Sequence, residues 1–172
     1  DAPESFAQHI VKAVADVTQE PIVQLVYSHT HLDHIAGASL LVKQIPKLTI
    51  VAEADTAAFL AEKRDPRRPL PTSTFKDHLS LQLGKMVVEL TKGQWHSPEG
   101  DLFIYLPGRK FLVAIDTLAA GHVPFMDFDL STNMHAYLKV FDQLLSYDFD
   151  VLVPGHLTYL ADRHDVQISK DY

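Results

Sequence analysis

The chain has 172 residues, 47% of them hydrophobic and 22% charged, a composition typical of one globular domain (1–172) with a sizeable core. Because 22 acidic residues outweigh 15 basic ones, giving a formal charge of −7, the sequence argues against binding nucleic acid. No apolar run is long enough to span a membrane, so no membrane partner is expected. The acidic charge and the apolar loop after Asp116 favour a neutral or modestly apolar small-molecule substrate as the partner. The absence of cysteine excludes disulfides and thiolate metal ligands, so any metal must be held by nitrogen and oxygen.

The first half of the sequence alternates helical and strand patterns. The predicted elements are a helix from Pro3 to before Pro21, a strand at Ile22–Tyr27, a helix at Ala36–Gln44, a strand at Leu48–Ala52 and a helix at Asp55–Glu62. Asp55 is expected to cap the last of these helices. This βαβα order predicts a sheet with helices packed on it. The proline-rich segment Arg64–Pro71 follows and is interpreted as an exposed loop, with a substrate-facing lid as the alternative.

The second half has the pattern of antiparallel strands followed by a helix. The predicted elements are strands at Leu79–Leu83, Met86–Thr91, Leu102–Leu106 and Lys110–Ile115, a helix from about Thr132 to Tyr147, and a strand at Val151–Val153. Pro107 and Gly108 between two apolar runs predict a hairpin. The whole chain therefore has an α/β (α+β) pattern.

Six residues near the start, His29-Thr30-His31-Leu32-Asp33-His34, carry the clearest chemical signal. Imidazole and carboxylate are usual ligands of zinc, and residues at i and i+2 of an extended segment point the same way. His29 and His31 can therefore hold one ion together. Asp33 and His34 follow the turn into a helix and suit a second ion nearby. The alternative is a histidine-rich surface loop, which the apolar strand before the motif and the small residues after it disfavour.

Three later residues each follow an apolar strand: His96, Asp116 and His156. Strand ends on one edge of a sheet converge, so residues far apart in sequence can meet there. Alone, each has an ordinary alternative, either a hydrogen-bonded turn residue or, for Asp116, a helix cap.

Taken in order, the motif and these three residues resemble the metallo-β-lactamase superfamily from about Ile22 to His156. The resemblance implies an αββα sandwich with metals at one edge. It implies His29, His31 and His96 as ligands of a first ion, Asp33, His34 and His156 as ligands of a second, and Asp116 as the bridge. An aspartate at the bridging position is similar to the glyoxalase II-like and lactonase-like hydrolases, whereas subgroups with cysteine there are excluded.

Two zinc ions are the expected cofactors, with iron or manganese as alternatives. A water shared between two cations loses its proton near neutral pH, and the hydroxide attacks a polarised carbonyl of a lactone, ester, thioester or β-lactam. Asp33 is the expected catalytic residue because it could orient that water. Two alternatives remain open: a mononuclear iron oxygenase of the persulfide dioxygenase kind, and a relative without catalysis that only binds metal or lacks it.

Two further expectations concern the substrate and the extent of the fold. His122 and Phe125 follow Asp116 in a loop that should lie over the metals, so they are candidate substrate-binding residues. Superfamily members usually carry several strands before the first motif, whereas only 28 residues precede it here. We therefore expect N-terminal strands to be missing, and a homo-oligomer is one way to cover the resulting apolar surface.

Overall fold

The computed structural model describes residues 3–97, 99–123, 131–157 and 160–172. Within these residues the chain is a mixed α/β protein with two sheets and helices between and after the strands. It divides into two compact units, the first ending at Lys76 and the second beginning at Asp77. Among the described residues, no helix is long and apolar enough to cross a bilayer.

The first unit is built on a parallel sheet of three strands in the order β1-β2-β3. The strands are β1 (Gln24–Val26), β2 (Thr49–Glu53) and β3 (Ser73–Phe75). A single 3-10 turn at Glu4–Phe6 precedes the helices α1 (Ala7–Val17), α2 (Leu32–Ile35), α3 (Ala38–Gln44) and α4 (Ala54–Lys63). Parallel pairing requires crossover connections, which α2 and α3 supply between β1 and β2 and α4 supplies between β2 and β3. Ile50 and Ala52 of β2 pack with Tyr27 and Leu60 in the core of this unit.

Three local features of the first unit differ from the sequence expectations. Glu53 caps α4 in place of Asp55, because the Glu53 carboxylate accepts the backbone N–H groups of Asp55 at 2.7 Å and Thr56 at 3.4 Å. A helical turn, α2, already begins at Leu32, inside the histidine motif. The strand β3 was not predicted, since only Phe75 of its three residues is buried and the segment carries little apolar pattern.

The second unit contains a five-stranded sheet in the order β4-β5-β6-β7-β8. The strands are β4 (His78–Leu83), β5 (Met86–Gly93), β6 (Asp101–Leu106), β7 (Phe111–Val113) and β8 (Val151–Val153), and the helices are α5 (Met134–Ser146) and α6 (Arg163–Asp171). The hairpin predicted at Pro107 and Gly108 is confirmed: β6 and β7 pair antiparallel across a 3-10 turn at Pro107–Arg109. Sequence reasoning did not predict α6, a helix with a capping box at Asp162 and one buried residue, Val166.

Strand direction in this sheet decides where the loops emerge. The strands β4 to β7 pair antiparallel in succession, and β7 pairs parallel with β8. Consequently β5, β7 and β8 run the same way, and the segments after them leave the sheet at one edge. The core beneath contains Trp95, Phe103, Leu112, Tyr137 and Leu152, all almost fully buried.

Candidate metal centre

The first group of donors lies in the loop from β1 to α2. β1 ends at Val26, and the extended residue His31 leads directly into α2. Ser28, His29 and Thr30 are buried, so the motif is not a solvated histidine-rich surface loop.

His29 and His31 approach each other across this loop. Their ring centroids are 4.7 Å apart in an edge-on arrangement, and each residue offers a donor atom within 4.8 Å of the other. Ser28 Oγ lies 3.1 Å from His29 Nδ1. When Nδ1 carries the proton and donates it to Ser28, the Nε2 lone pair of His29 is the one that can bind an ion.

Asp33 and His34 follow on the first turn of α2. The Nε2 of His34 lies 3.2 Å from Asp33 Oδ2. His34 is buried, whereas the Asp33 side chain is 54% exposed and reachable by solvent. The His29 and His34 rings are also 4.7 Å apart, so all four donor side chains of the first unit occupy one small region.

The second group of donors lies in the second unit, at the sheet edge where β5, β7 and β8 end. Asp116 stands between two histidines: its Oδ2 is 3.8 Å from His96 Nε2, and its Oδ1 is 3.5 Å from His156 Nε2. His96 and Asp116 are buried, while the side chain of His156 is 58% exposed. The two carboxylate oxygens therefore face different imidazoles.

The backbone around Asp116 is fixed by its neighbours. Asp116 has a positive φ of 60°, a conformation that aspartate tolerates better than most residues, and its N–H donates to the Pro154 carbonyl at 2.7 Å. Gly155 also has a positive φ, 105°, and a Cβ there would lie 2.9 Å from Asp116 Oδ1. The glycine before His156 thus lets the two segments approach.

Two residues that support this group were missed by sequence reasoning as site residues. The buried Asp101 carboxylate accepts the N–H groups of His96 at 3.0 Å and Ser97 at 3.1 Å, and its Oδ1 is 3.6 Å from His96 Nδ1. Trp95, which is buried in the core, donates its indole N–H to the Ile115 carbonyl at 3.0 Å. It thereby joins the segments that carry His96 and Asp116. An acidic residue at the start of a strand gives no sequence signal for such a role.

Of the two expected substrate-binding residues, His122 lies in the part of the chain that the structure describes. His122 is exposed, and its Nδ1 lies 3.1 Å from the Ala120 carbonyl oxygen. Phe125 lies outside the described residues. The donors in both groups are imidazole nitrogens and carboxylate oxygens, a set that fits zinc, iron or manganese and needs no thiolate.

Comparison with known proteins identifies the family. The family model of the metallo-beta-lactamase superfamily matches residues 3–156. The chain is 25% identical over 164 residues to the 2,4-dinitroanisole O-demethylase subunit alpha of Nocardioides sp. (strain JS1661), covering 94% of the chain and 48% of that protein. It is 22% identical over 214 residues to the linear primary-alkylsulfatase of Pseudomonas sp. (strain ATCC 19151), covering 97% of the chain and 40% of that protein. The chain thus spans less than half the length of these two relatives.

Solved structures share the fold at low sequence identity. A metallo-beta-lactamase from Pontibacter korlensis superposes with a TM-score of 0.83 at 18% identity, covering 99% of this chain and 79% of that one. DIM-1 metallo-beta-lactamase gives a TM-score of 0.80 at 20% identity, with 99% and 78% covered. The mixed α/β fold with two sheets is therefore the one expected from the sequence. Because the family model spans most of the sequence, the chain belongs to the metallo-β-lactamase superfamily.

Proposed function

We propose that the chain is the metal-binding part of a dinuclear zinc-dependent hydrolase. The observation that carries the proposal is the position of Asp116, whose two carboxylate oxygens each face a different histidine. A carboxylate placed in this way suits a bridge between two cations. Membership of the superfamily supports the ligand sets given by the resemblance: His29, His31 and His96 for one ion, Asp33, His34 and His156 for the other.

The metal ions, Asp33 and Asp101 have distinct tasks in this proposal. When bound, the two ions would supply a water of lowered pKa and polarise the bond that is cleaved. The exposed Asp33 carboxylate, 3.2 Å from His34 Nε2, is suited to accept a hydrogen bond from that water and to orient it. The buried Asp101 holds the backbone of His96 and faces Nδ1 of its ring, which favours binding through Nε2.

For the substrate, we propose first a small carbonyl compound such as a lactone, ester, thioester or β-lactam. The second candidate substrate is a linear alkyl sulfate or an aryl methyl ether. The two curated relatives favour it, because their names describe cleavage of a linear alkyl sulfate and removal of a methyl group from an aryl ether. Exposed apolar side chains that follow Asp116 and His156 in sequence, Val123, Leu157 and Leu160, are compatible with an apolar substrate in either case.

Metal analysis of single variants tests the ligand assignment. The protein purified without added metal should contain two zinc ions per chain. His31→Ala should lose one ion, whereas Asp116→Ala should lose both, because it removes the bridge. His135→Ala, an exposed histidine on α5, is the control and should keep both ions. One iron per chain would favour the persulfide dioxygenase alternative, and full zinc content in Asp116→Ala would contradict the bridge.

A substrate panel tests the reaction. The zinc-loaded protein should hydrolyse at least one of a lactone, an aryl ester, a thioester, a β-lactam, a linear alkyl sulfate or an aryl methyl ether. Activity that survives exhaustive chelation, with metal confirmed absent, would overturn the proposed chemistry. Release of sulfate or methanol without turnover of any carbonyl compound would select the second candidate.

A further inference from the structure

The loop expected to be exposed, Arg64–Pro71, is tied to the histidine motif within the first unit. Arg68 donates from Nη1 to the carbonyl oxygen of Thr30 at 2.8 Å, across 38 positions of sequence. One residue further on, the Pro69 carbonyl accepts the phenol O–H of Tyr27 at 2.9 Å. Burial raises the pKa of the Tyr27 phenol above its ordinary value, so this donor stays protonated. The loop thus contacts the motif at Thr30 and the segment just before the motif at Tyr27.

Thr30 is the residue between His29 and His31, and it is 1% exposed. A buried backbone carbonyl needs a hydrogen-bond donor, and a guanidinium N–H is a strong one because it is charged. His29 and Thr30 lie in a bend after β1, and the Thr30 carbonyl belongs to the peptide group that joins Thr30 to His31. The orientation of that group therefore affects the direction of the His31 imidazole relative to that of His29. Arg68 therefore acts on one of the two peptide groups that link the two histidines.

We propose that Arg68 is a positioning residue that holds the Thr30 carbonyl and thereby aims His29 and His31 at a common metal ion. The expected effect on metal affinity rests on the proposed function. The hydrogen bond from Arg68 to the Thr30 carbonyl does not depend on it. The proposed role of Arg68 also replaces the interpretation of Arg64–Pro71 as a lid, because Arg68 in this loop is hydrogen-bonded to Thr30 in the motif.

The Arg68 side chain is itself held in place, as a positioning residue must be. It is 12% exposed, its Nη2 lies 3.7 Å from Asp65 Oδ2, and its guanidinium carbon lies 5.6 Å from the centre of the Phe59 ring. The neighbouring Arg67 is 55% exposed and binds Asp65 through two hydrogen bonds, at 3.0 and 2.8 Å. Both arginines thus contact Asp65, and within the described residues Arg68 also donates a hydrogen bond to Thr30. This difference supplies a matched control.

Zinc affinity of three variants tests the proposal. We expect Arg68→Met to bind zinc about 10-fold more weakly than the wild type, the loss typical when a group that supports metal ligands is removed. Arg68→Lys, which can donate one charged hydrogen bond, should recover part of this loss. Arg67→Met should stay within twofold of the wild type. The measurement is competition with a chelator of known zinc affinity.

Amide hydrogen exchange of the zinc-free proteins provides a readout that does not depend on metal. In Arg68→Met, peptides that cover residues 28–32 should exchange about 10-fold faster, while peptides that cover β2 keep the wild-type rate. An equal acceleration in β2 would indicate general destabilisation and would overturn the proposal. Equal exchange and equal zinc affinity in Arg68→Met and Arg67→Met would also overturn it. If the wild type binds no zinc, the proposed function fails, and the exchange comparison alone decides the role of Arg68.

Discussion

At the scale of single residues, the position of the Asp116 side chain depends on Gly155, a neighbour that has no side chain. Gly155 combines a positive φ with close contact: a Cβ would meet Asp116 Oδ1 at 2.9 Å and Asp116 N at 3.1 Å. Gly84 also has a positive φ, 60°, but a Cβ there would meet nothing within 4 Å. Alanine substitutions at the two glycines therefore separate two losses of stability, one from the backbone conformation and one from a clash with the Asp116 carboxylate.

Gly155→Ala should lower stability by more than Gly84→Ala and should also weaken zinc binding. Both variants place a side chain in the left-handed region, at about 1–2 kcal/mol, but only Gly155→Ala displaces Asp116. Urea unfolding and zinc titration of the two proteins check this. Equal zinc affinity in the two variants would show that Asp116 does not need the space above Gly155.

Asp101→Asn should lower zinc affinity by about 10-fold and stability by about 1–3 kcal/mol, because a buried charged acceptor beside His96 is lost. Asp148→Asn is the control: its carboxylate, 75% exposed, pairs with Lys110 at the surface, where such pairs contribute at most about 1 kcal/mol. Zinc titration and chemical unfolding are the measurements. An Asp101→Asn protein that behaves like the control would remove Asp101 from the supporting residues.

At the scale of elements, the loop Arg64–Pro71 has its own electrostatic anchor. The paired hydrogen bonds from Arg67 lower the pKa of Asp65 from 3.8 to about 2. A carboxylate whose pKa is depressed on folding contributes stability above its ordinary pKa and loses that contribution as the pH falls toward the lowered value. The stabilising effect of Asp65 should therefore disappear between about pH 4 and pH 2.

Asp65→Asn should be less stable than the wild type by a constant amount at pH 5 and 6, and the difference should shrink as the pH falls below about 4. Urea unfolding at a series of pH values measures it. Arg67→Gln should show the same pH dependence, since it removes the cause of the depressed pKa. A difference that does not change with pH would mean that the ion pair contributes nothing in solution.

At the scale of the whole molecule, bound metal should act as a stabilising ligand. Free zinc at 100 times its dissociation constant stabilises a folded protein by about 2.7 kcal/mol, which for a chain of this size corresponds to roughly 5–10 °C in the unfolding temperature. Chelation should lower the unfolding temperature of the wild type by this amount, and zinc should restore it. Asp116→Ala should not respond. An unchanged wild-type midpoint would contradict metal binding.

Much of the fold followed from local patterns in the sequence. Apolar runs with turn residues predicted most of the strands, and the Pro107–Gly108 pair predicted the hairpin between β6 and β7. The histidine motif brings its donors together through local geometry, because all four lie within six positions, in the loop after β1 and the first turn of α2. The roles of these residues as metal ligands remain predictions.

What only the tertiary structure decided are particular contacts of the site and the helix caps, some of them between residues distant in sequence. Local propensity favours an aspartate at a helix start. Glu53 caps α4 instead, because β2 ends at Glu53 and α4 begins at the next residue. Asp101 reaches the backbone of His96, Gly155 lies against Asp116, and Arg68 reaches Thr30. Such pairings depend on how strands and loops are ordered in space, which composition and periodicity do not encode. The sequence by itself therefore determined the superfamily and the candidate donors, and tertiary packing decided which residues hold those donors in place.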